Sequence, residues 1–353
     1  MKQVGNRNKA FSLKTRLQRL KRDSNRWSVF TLAIVFFLAL PIMFIGVELF
    51  SGPGETWSHI VKFLLPEYIW NSLYLVFFCS IIVLVLGISS AWLVSRFDFR
   101  FRKQMEWLLI LPLAIPSYIV GYAYAGIFDY GGSFELLLRQ LNLGFIRIDI
   151  MNRGGLAFVL SISLFPYVYV SARAFFLNQA NNLLEASKML GVSERKTFFK
   201  LMLPLSRPAI VAGLVLVWME VLNDYGAASY YGVNTFTTGI FRSWFSLEEP
   251  ETAVYLSALL IVIIFALILF EKWQVRKVKF TSSKTNSTQI HRKEPSRLMK
   301  WGIFSVVFLP VLLGFILPVA QLIYWAVLTA STVFDMEFIM ISLQSFGIAI
   351  TSA

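Results

Sequence analysis

The sequence predicts an all-α protein, a polytopic transmembrane helical bundle that uses lipid as its solvent. Three observations predict it. The chain of 353 residues is 57% hydrophobic and 16% aromatic but 15% charged, with a mean hydropathy of +0.64, whereas water-soluble domains carry roughly 25% charged residues. The charges are clustered rather than spread, so that windows such as 30–50 and 253–270 hold almost none. Apolar runs near the length needed to cross the hydrocarbon, about 20 residues, recur along the whole chain.

Eight such runs are expected to span or nearly span: 28–50, 69–95, 106–128, 155–177, 208–222, 252–271, 301–329 and 338–353. The fifth is short, because Glu220 and Asp224 interrupt it. Pro112 and Pro116, followed by Gly121 and Gly126, mark the third for helix packing or a hinge. Of the 33 Lys and Arg residues, 28 fall before Trp27, in 96–103, in 173–207 and in 272–300, while Lys62, Arg139, Arg147, Arg153 and Arg242 occupy the alternate loops. The positive-inside rule therefore puts the N-terminus in the cytoplasm. It also explains the net charge of +13 without a nucleic-acid partner, since nucleic-acid binders array their basic residues along one face. The basic region before Trp27 is too long for a cleavable signal and reads as a cytoplasmic tail before an anchoring span. Cys79 lies within an apolar stretch as a small buried hydrophobe, and no second cysteine is there to pair with it.

The organisation expected is a basic tail over 1–27, a first transmembrane half over 28–272, a polar linker over 273–300 and the start of a second half over 301–353. The linker has no hydrophobic period and is expected to move freely; its Asn286-Ser287-Thr288 sequon would lie on the cytoplasmic side and is a chance match. After it the chain repeats itself. RWSVFTLAIVFFLALPIMF, from Arg26, and KWGIFSVVFLPVLLGFILPVA, from Lys300, share a basic start, an aromatic-rich run and a proline near the far end. The runs that follow open with Asn71-Ser72-Leu73 and Gln344-Ser345-Phe346. Internal repetition is common in transporters, and the second copy reads as truncated within its second span.

The loop over 180–208 is the most informative segment. Asn182 suits a helix N-cap with Glu185 three residues on, Gly191 suits the left-handed residue that ends a helix, and Ser193 with Glu194 suits the start of another. Pro204 and Pro208 limit that second helix. The spacing Glu185-Ala186-Ser187, three residues, Gly191, nine residues, Leu201-Met202-Leu203-Pro204 resembles the EAA loop of ATP-binding-cassette import permeases, whose pattern is E-A-A, three residues, G, nine residues, I-x-L-P. Ser187 stands for the second alanine and Leu201 for isoleucine. The resemblance implies the type I permease fold. It also implies that Glu185, Ala186, Ser187, Gly191, Leu203 and Pro204 form the surface that docks on a separate ATPase dimer, whose closure switches the spans between outward-open and inward-open states. The chain carries no phosphate-binding G-x-x-x-x-G-K-[ST] loop, so ATP and Mg are expected on that partner and no cofactor on this chain.

After the fifth span, Glu220, Asp224-Tyr225-Gly226 and Thr237-Thr238-Gly239-Ile240 resemble the equivalent region of ferric-iron permeases, which are often tandem fusions of two halves. The resemblance implies iron delivered by a periplasmic binding protein across a bacterial inner membrane. Glu220, Asp224 and Tyr225 offer the hard oxygen donors that ferric iron prefers, and the two carboxylates, four apart, would share a face on a continuous helix. They either line the translocation path or serve structure, Glu220 by pairing with a neighbouring span and Asp224 by capping a helix. Thiamine, polyamine or oxyanion cargo is the alternative within the same importer class. The loop spacing argues against an ATPase-independent secondary transporter or channel. Nothing gathers a nucleophile with a base, His59 and His291 stand apart in loops, and no tight metal site is expected. The remaining partners implied are membrane lipid and a second permease half, fused or supplied by a second copy.

Overall fold

The computed structural model describes residues 26–142, 148–189, 191–276 and 292–352; within these the side chains of Arg26, 178–186, Lys188, Val275 and Arg276 are left undescribed. The N-terminal tail and linker residues 277–291, with the sequon, lie outside this set. The described chain is helical throughout. Among these residues the one extended pairing is an isolated parallel bridge between Phe97 and Lys293.

The helices in order are α1 (Arg26–Glu48), α2 (Leu65–Arg96), α3 (Arg102–Leu108), α4 (Ser117–Phe128), α5 (Ser133–Gln140), α6 (Arg153–Met189), α7 (Glu194–Thr197), α8 (Arg207–Asn223), α9 (Gly226–Tyr230), α10 (Phe236–Phe241), α11 (Pro250–Arg276), α12 (Arg297–Val311), α13 (Leu317–Val333) and α14 (Met336–Ser352). Five helical stretches are long and apolar enough to cross a membrane, or up to seven if each of two bent pairs is one span. The eight expected segments all coincide with helices, but α14, with 17 residues, falls short of a span.

The third segment is not a simple crossing. Its helical parts meet at an angle of 92°. Ile115 is extended, at φ −109° and ψ 122°, because a residue before proline is pushed out of the α region. Pro116 thus ends one arm, and the chain turns before α4 begins.

The core is built on α6, which packs between α2 and α8. Two glycines allow that approach. A Cβ on Gly87 of α2 would lie 2.9 Å from Val168 Cβ, and one on Gly213 of α8 would lie 2.8 Å from the Tyr167 carbonyl. Small residues at a crossing let helix backbones close up where lipid gives no hydrophobic drive. Around this pinch lie the fully buried Val83, Val94, Leu160, Phe165, Val168 and Val217. Cys79 is sealed in the same core, its Sγ 3.4 Å from the Ala157 carbonyl.

The two copies of the repeated motif have different surroundings. Each carries an internal proline, Pro41 in α1 and Pro310 in α12. Nothing in the most apolar window of α1 is buried, although Tyr255 of α11 donates to the Leu49 carbonyl beyond its end at 2.8 Å. By contrast α12 and α13 pack on the first half. Val307 and Val311 are fully buried, Tyr124 donates to the Leu313 carbonyl at 2.8 Å, and a Cβ on Gly314 would lie 2.4 Å from the Ile162 carbonyl.

Candidate functional site

One end of the bundle carries the loop with the EAA-like spacing. Helix α6 does not begin anew at Asn182, as the capping pattern suggested. It runs unbroken for 37 residues to Met189, about 55 Å at 1.5 Å per residue, because no glycine or proline follows Pro166 until Gly191. Glu185 and Ala186 therefore sit in the final turns of a span that outruns the hydrocarbon; their side chains lie outside the described residues. Gly191 has φ +69°, a conformation that strains any residue with a Cβ. The Val192 N–H reaches back to the Ser187 carbonyl at 3.0 Å, the six-to-one bond of a Schellman terminus.

The second arm begins at Ser193, extended at φ −66° and ψ 147°. Its side chain makes no cap bond; its carbonyl accepts the Thr197 N–H at 2.9 Å. The buried Thr197 hydroxyl lies 3.2 Å from both Ser187 Oγ and the Ser193 carbonyl. The serine standing where the pattern has alanine thus touches the returning arm. Phe198 packs 4.8 Å from Trp92 of α2, which packs 5.4 Å from Phe176 of α6. Leu203 joins the core edge, Pro204 is exposed at the start of a short turn, and the chain bends by 63° into α8. The loop leaves two apolar side chains uncovered, Met189 at 91% exposure and Phe199 at 65%, beside the exposed Arg195, Lys196 and Lys200.

Charges at this end are shared across segments. The Glu194 carboxylate accepts from Arg96 at 3.1 Å and Lys293 at 3.2 Å. Burial alone would raise its pKa, but the hydrogen bonds and charges of Lys293 and Arg96 prevail and hold it below the ordinary glutamate value. Nearby, Glu106 pairs with Arg102 and, at 3.0 Å, with Arg173. Sequence reading missed Arg96 and Lys293, because nothing local signals a contact across 98 or 99 residues.

The motif after α8 is a joint. Helix α8 ends at Asn223, so Glu220 and Asp224 do not share one continuous helix. Asp224 accepts the Ala227 N–H at 2.8 Å, which caps α9, and its other oxygen takes the Ser117 hydroxyl of α4. Thr237 donates to the Asp224 carbonyl at 2.8 Å, and Thr238 closes a capping box with Thr235 at the start of α10. Gly239 leaves room for Tyr68, whose ring would lie 2.4 Å from an added Cβ. Tyr225 stacks on Phe241 at 3.9 Å. Most of the signature residues thus hold α4, α8 and α10 together. Glu220 differs: it is exposed on α8, with the Tyr167 hydroxyl of α6 at 3.3 Å.

At the opposite end, a cleft of about 390 Å³ between α4 and α13 is lined by Tyr122, Tyr130, Tyr230, Trp325, Asp129 and Asp149. The Glu249 carboxylate there fastens two loops, taking the Thr56 N–H and hydroxyl and, at 2.7 Å, the Thr252 hydroxyl.

Comparison with known proteins agrees with this architecture. Residues 83–280 match the family model described as binding-protein-dependent transport system inner membrane component. The chain is 27% identical over 271 residues to the Fe(3+)-transport system permease protein of Haemophilus influenzae, a match covering 76% of this chain and 49% of that protein. It thus spans about half the length of that relative. It is 24% identical over 261 residues to the spermidine/putrescine transport system permease protein of the same organism, covering 71% of this chain and 91% of the relative. The crystal structure of a bacterial alginate ABC transporter, in complex with its alginate pentasaccharide-bound periplasmic protein, contains a chain that superposes with a TM-score of 0.59. That match has 17% identity and covers 75% of this chain and 99% of the other, a likeness of fold. A bundle pinched around one long central helix, and a family match over more than half the chain, make this protein a member of the binding-protein-dependent transport system inner membrane components.

Proposed function

We propose that this chain is the membrane subunit of an ATP-driven importer for ferric iron, delivered by a periplasmic binding protein and moved by alternating access. The observation that carries the importer reading is the loop from Glu185 to Pro204. Its left-handed Gly191, pinned return arm and exposed Met189 and Phe199, flanked by the exposed Arg195, Lys196 and Lys200, form a preset knob for a separate ATPase. ATP and Mg belong to that partner. The positive-inside pattern supports a cytoplasmic N-terminus and a knob on the cytoplasmic side of a bacterial inner membrane. A second permease half, fused or from a second copy, completes the assembly.

Iron is supported by the ferric-iron relative and by Glu220. A carboxylate within a span faces a polar path or a partner rather than lipid, and Glu220 is exposed beside the Tyr167 phenol. Carboxylate and phenolate are ligands for a hard cation. With Asp224 and Tyr225 engaged in the joint, Glu220 is the residue of the proposed path that remains open to cargo. One observation favours polyamine cargo instead: the cleft at the far end sets aromatic faces beside two carboxylates, a lining that suits an organic ammonium ion.

The test is uptake of radiolabelled ferric iron and, separately, of spermidine by cells that express the whole transporter with its ATPase and binding protein. Ferric uptake that needs ATP and is lost in Glu185→Arg and Gly191→Pro at normal membrane levels is expected. Undiminished uptake in both variants would refute the loop assignment, and spermidine uptake without iron uptake would transfer the cargo.

A further inference from the structure

We infer that Glu194 is a positioning residue of the transport cycle, tying the return arm of the ATPase-facing loop to the end of α2 and to the segment that leads into α12. The inference rests on the reading of that loop as the ATPase contact.

Three observations carry it. The two oxygens of Glu194 are divided between segments, Oε1 meeting Arg96 of α2 and Oε2 meeting Lys293 beyond the linker. Arg96 and Lys293 are held in register by backbone as well. The Lys293 N–H donates to the Arg96 carbonyl, and the Asp98 N–H to the Lys293 carbonyl, each at 3.0 Å. The part of the linker just before α12 is thus fastened at this point rather than free, as its composition suggested. Above the clip, α12 and α13 stay on the first half through Val307, Val311 and the Tyr124–Leu313 hydrogen bond.

The mechanical consequence follows from this connectivity. A partner that pulls on the loop through Met189 and Phe199 displaces the α7 arm directly. Glu194 passes that displacement to two helices at once. The span after the linker then moves with the first half, although the sequence assigns it to the second. The clip is partly solvated, Lys293 being about half exposed, so its gain in static stability is small. Its value lies in the direction of force.

The experiment uses the complete transporter in proteoliposomes and reads cargo imported per ATP hydrolysed, together with retention of the ATPase on the purified permease. Lys293→Gln lies outside the docking loop and is expected to keep the ATPase. It should lower cargo per ATP by about fivefold, the low end of free energies that couple two sites. Glu194→Gln should do the same. The conservative Lys293→Arg, which keeps a cation on Glu194 Oε2 without disturbing Arg96, should keep cargo per ATP near the wild-type value, whereas Lys293→Gln does not. Cargo per ATP equal to wild type in both Gln variants would overturn the clip. ATPase retention in Glu185→Arg and Gly191→Pro, with normal import, would instead strike the docking reading beneath it.

Discussion

At Gly191 the backbone is left-handed, and a Cβ would meet no neighbour there. The obstacle to substitution is therefore conformational, about 1–2 kcal/mol for an ordinary residue. Gly191→Asn should retain more ATPase on the purified permease than Gly191→Val, since asparagine tolerates this conformation. Ser187→Ala should cost at most about 1 kcal/mol, because Thr197 keeps the Ser193 carbonyl as partner; thermal melting in detergent checks it. Glu249 and Glu194 give the acid response. Hydrogen bonds from Thr56 and Thr252 hold Glu249 below the ordinary glutamate value, against slight burial, and Lys293 and Arg96 do so for Glu194 against burial. A depressed carboxyl pKa contributes stability that is complete above the unfolded value, about 4.3, and is lost as pH falls through the folded one. Melting temperature should thus drop in that acid window, and the double variant Glu194→Gln with Glu249→Gln should show a shallower drop. At this scale the sequence was a good guide where chemistry is local: the glycine terminus and the Asp224 cap follow from residue type. It said nothing of Arg96 or Lys293, whose partner is distant along the chain.

Among the helices, the decisive contact is the pinch at Val168. Gly87 and Gly213 press on neighbouring residues of α6 from two sides, so a bulkier side chain at either must push a span outward. Gly87→Val and Gly213→Val should each destabilise the bundle by about 1–3 kcal/mol, visible as earlier thermal unfolding in detergent. Gly302, with open space around it, should accept alanine with little change. The apolar helices themselves were legible, since hydropathy reports charge avoidance directly, but the eight expected spans reduce to five long ones, or up to seven if each bent pair is one span. The bend at Ile115 and Pro116 was not. Two prolines announce a break, but its 92° angle depends on what packs against each arm. The single long α6 was missed for the opposite reason: good caps at Asn182 and Glu185 look like a start, yet a helix already under way continues until something stops it.

Across the whole molecule, the repeated opening motif identified a restart but not its setting. Helices α12 and α13 lie against the first half, while α1 presents apolar side chains outward over its length, as with Phe37 at 72% exposure. Similar sequences occupy unlike surroundings because burial depends on neighbours that a linear pattern does not contain. Orientation is the expectation to test at this scale. Cysteines placed at the exposed positions Arg100 and Glu248 should be modified by a membrane-impermeant maleimide from opposite sides, Arg100→Cys in inverted vesicles and Glu248→Cys in intact spheroplasts. Reaction of both from one side would break the alternation of loops.

That mapping is simplified by Cys79. The one thiol of the chain is wholly enclosed between α2 and α6. This chain therefore serves as its own unreactive background: each thiol introduced into it reports alone, and any signal that develops from the unsubstituted chain signals that the bundle has come apart.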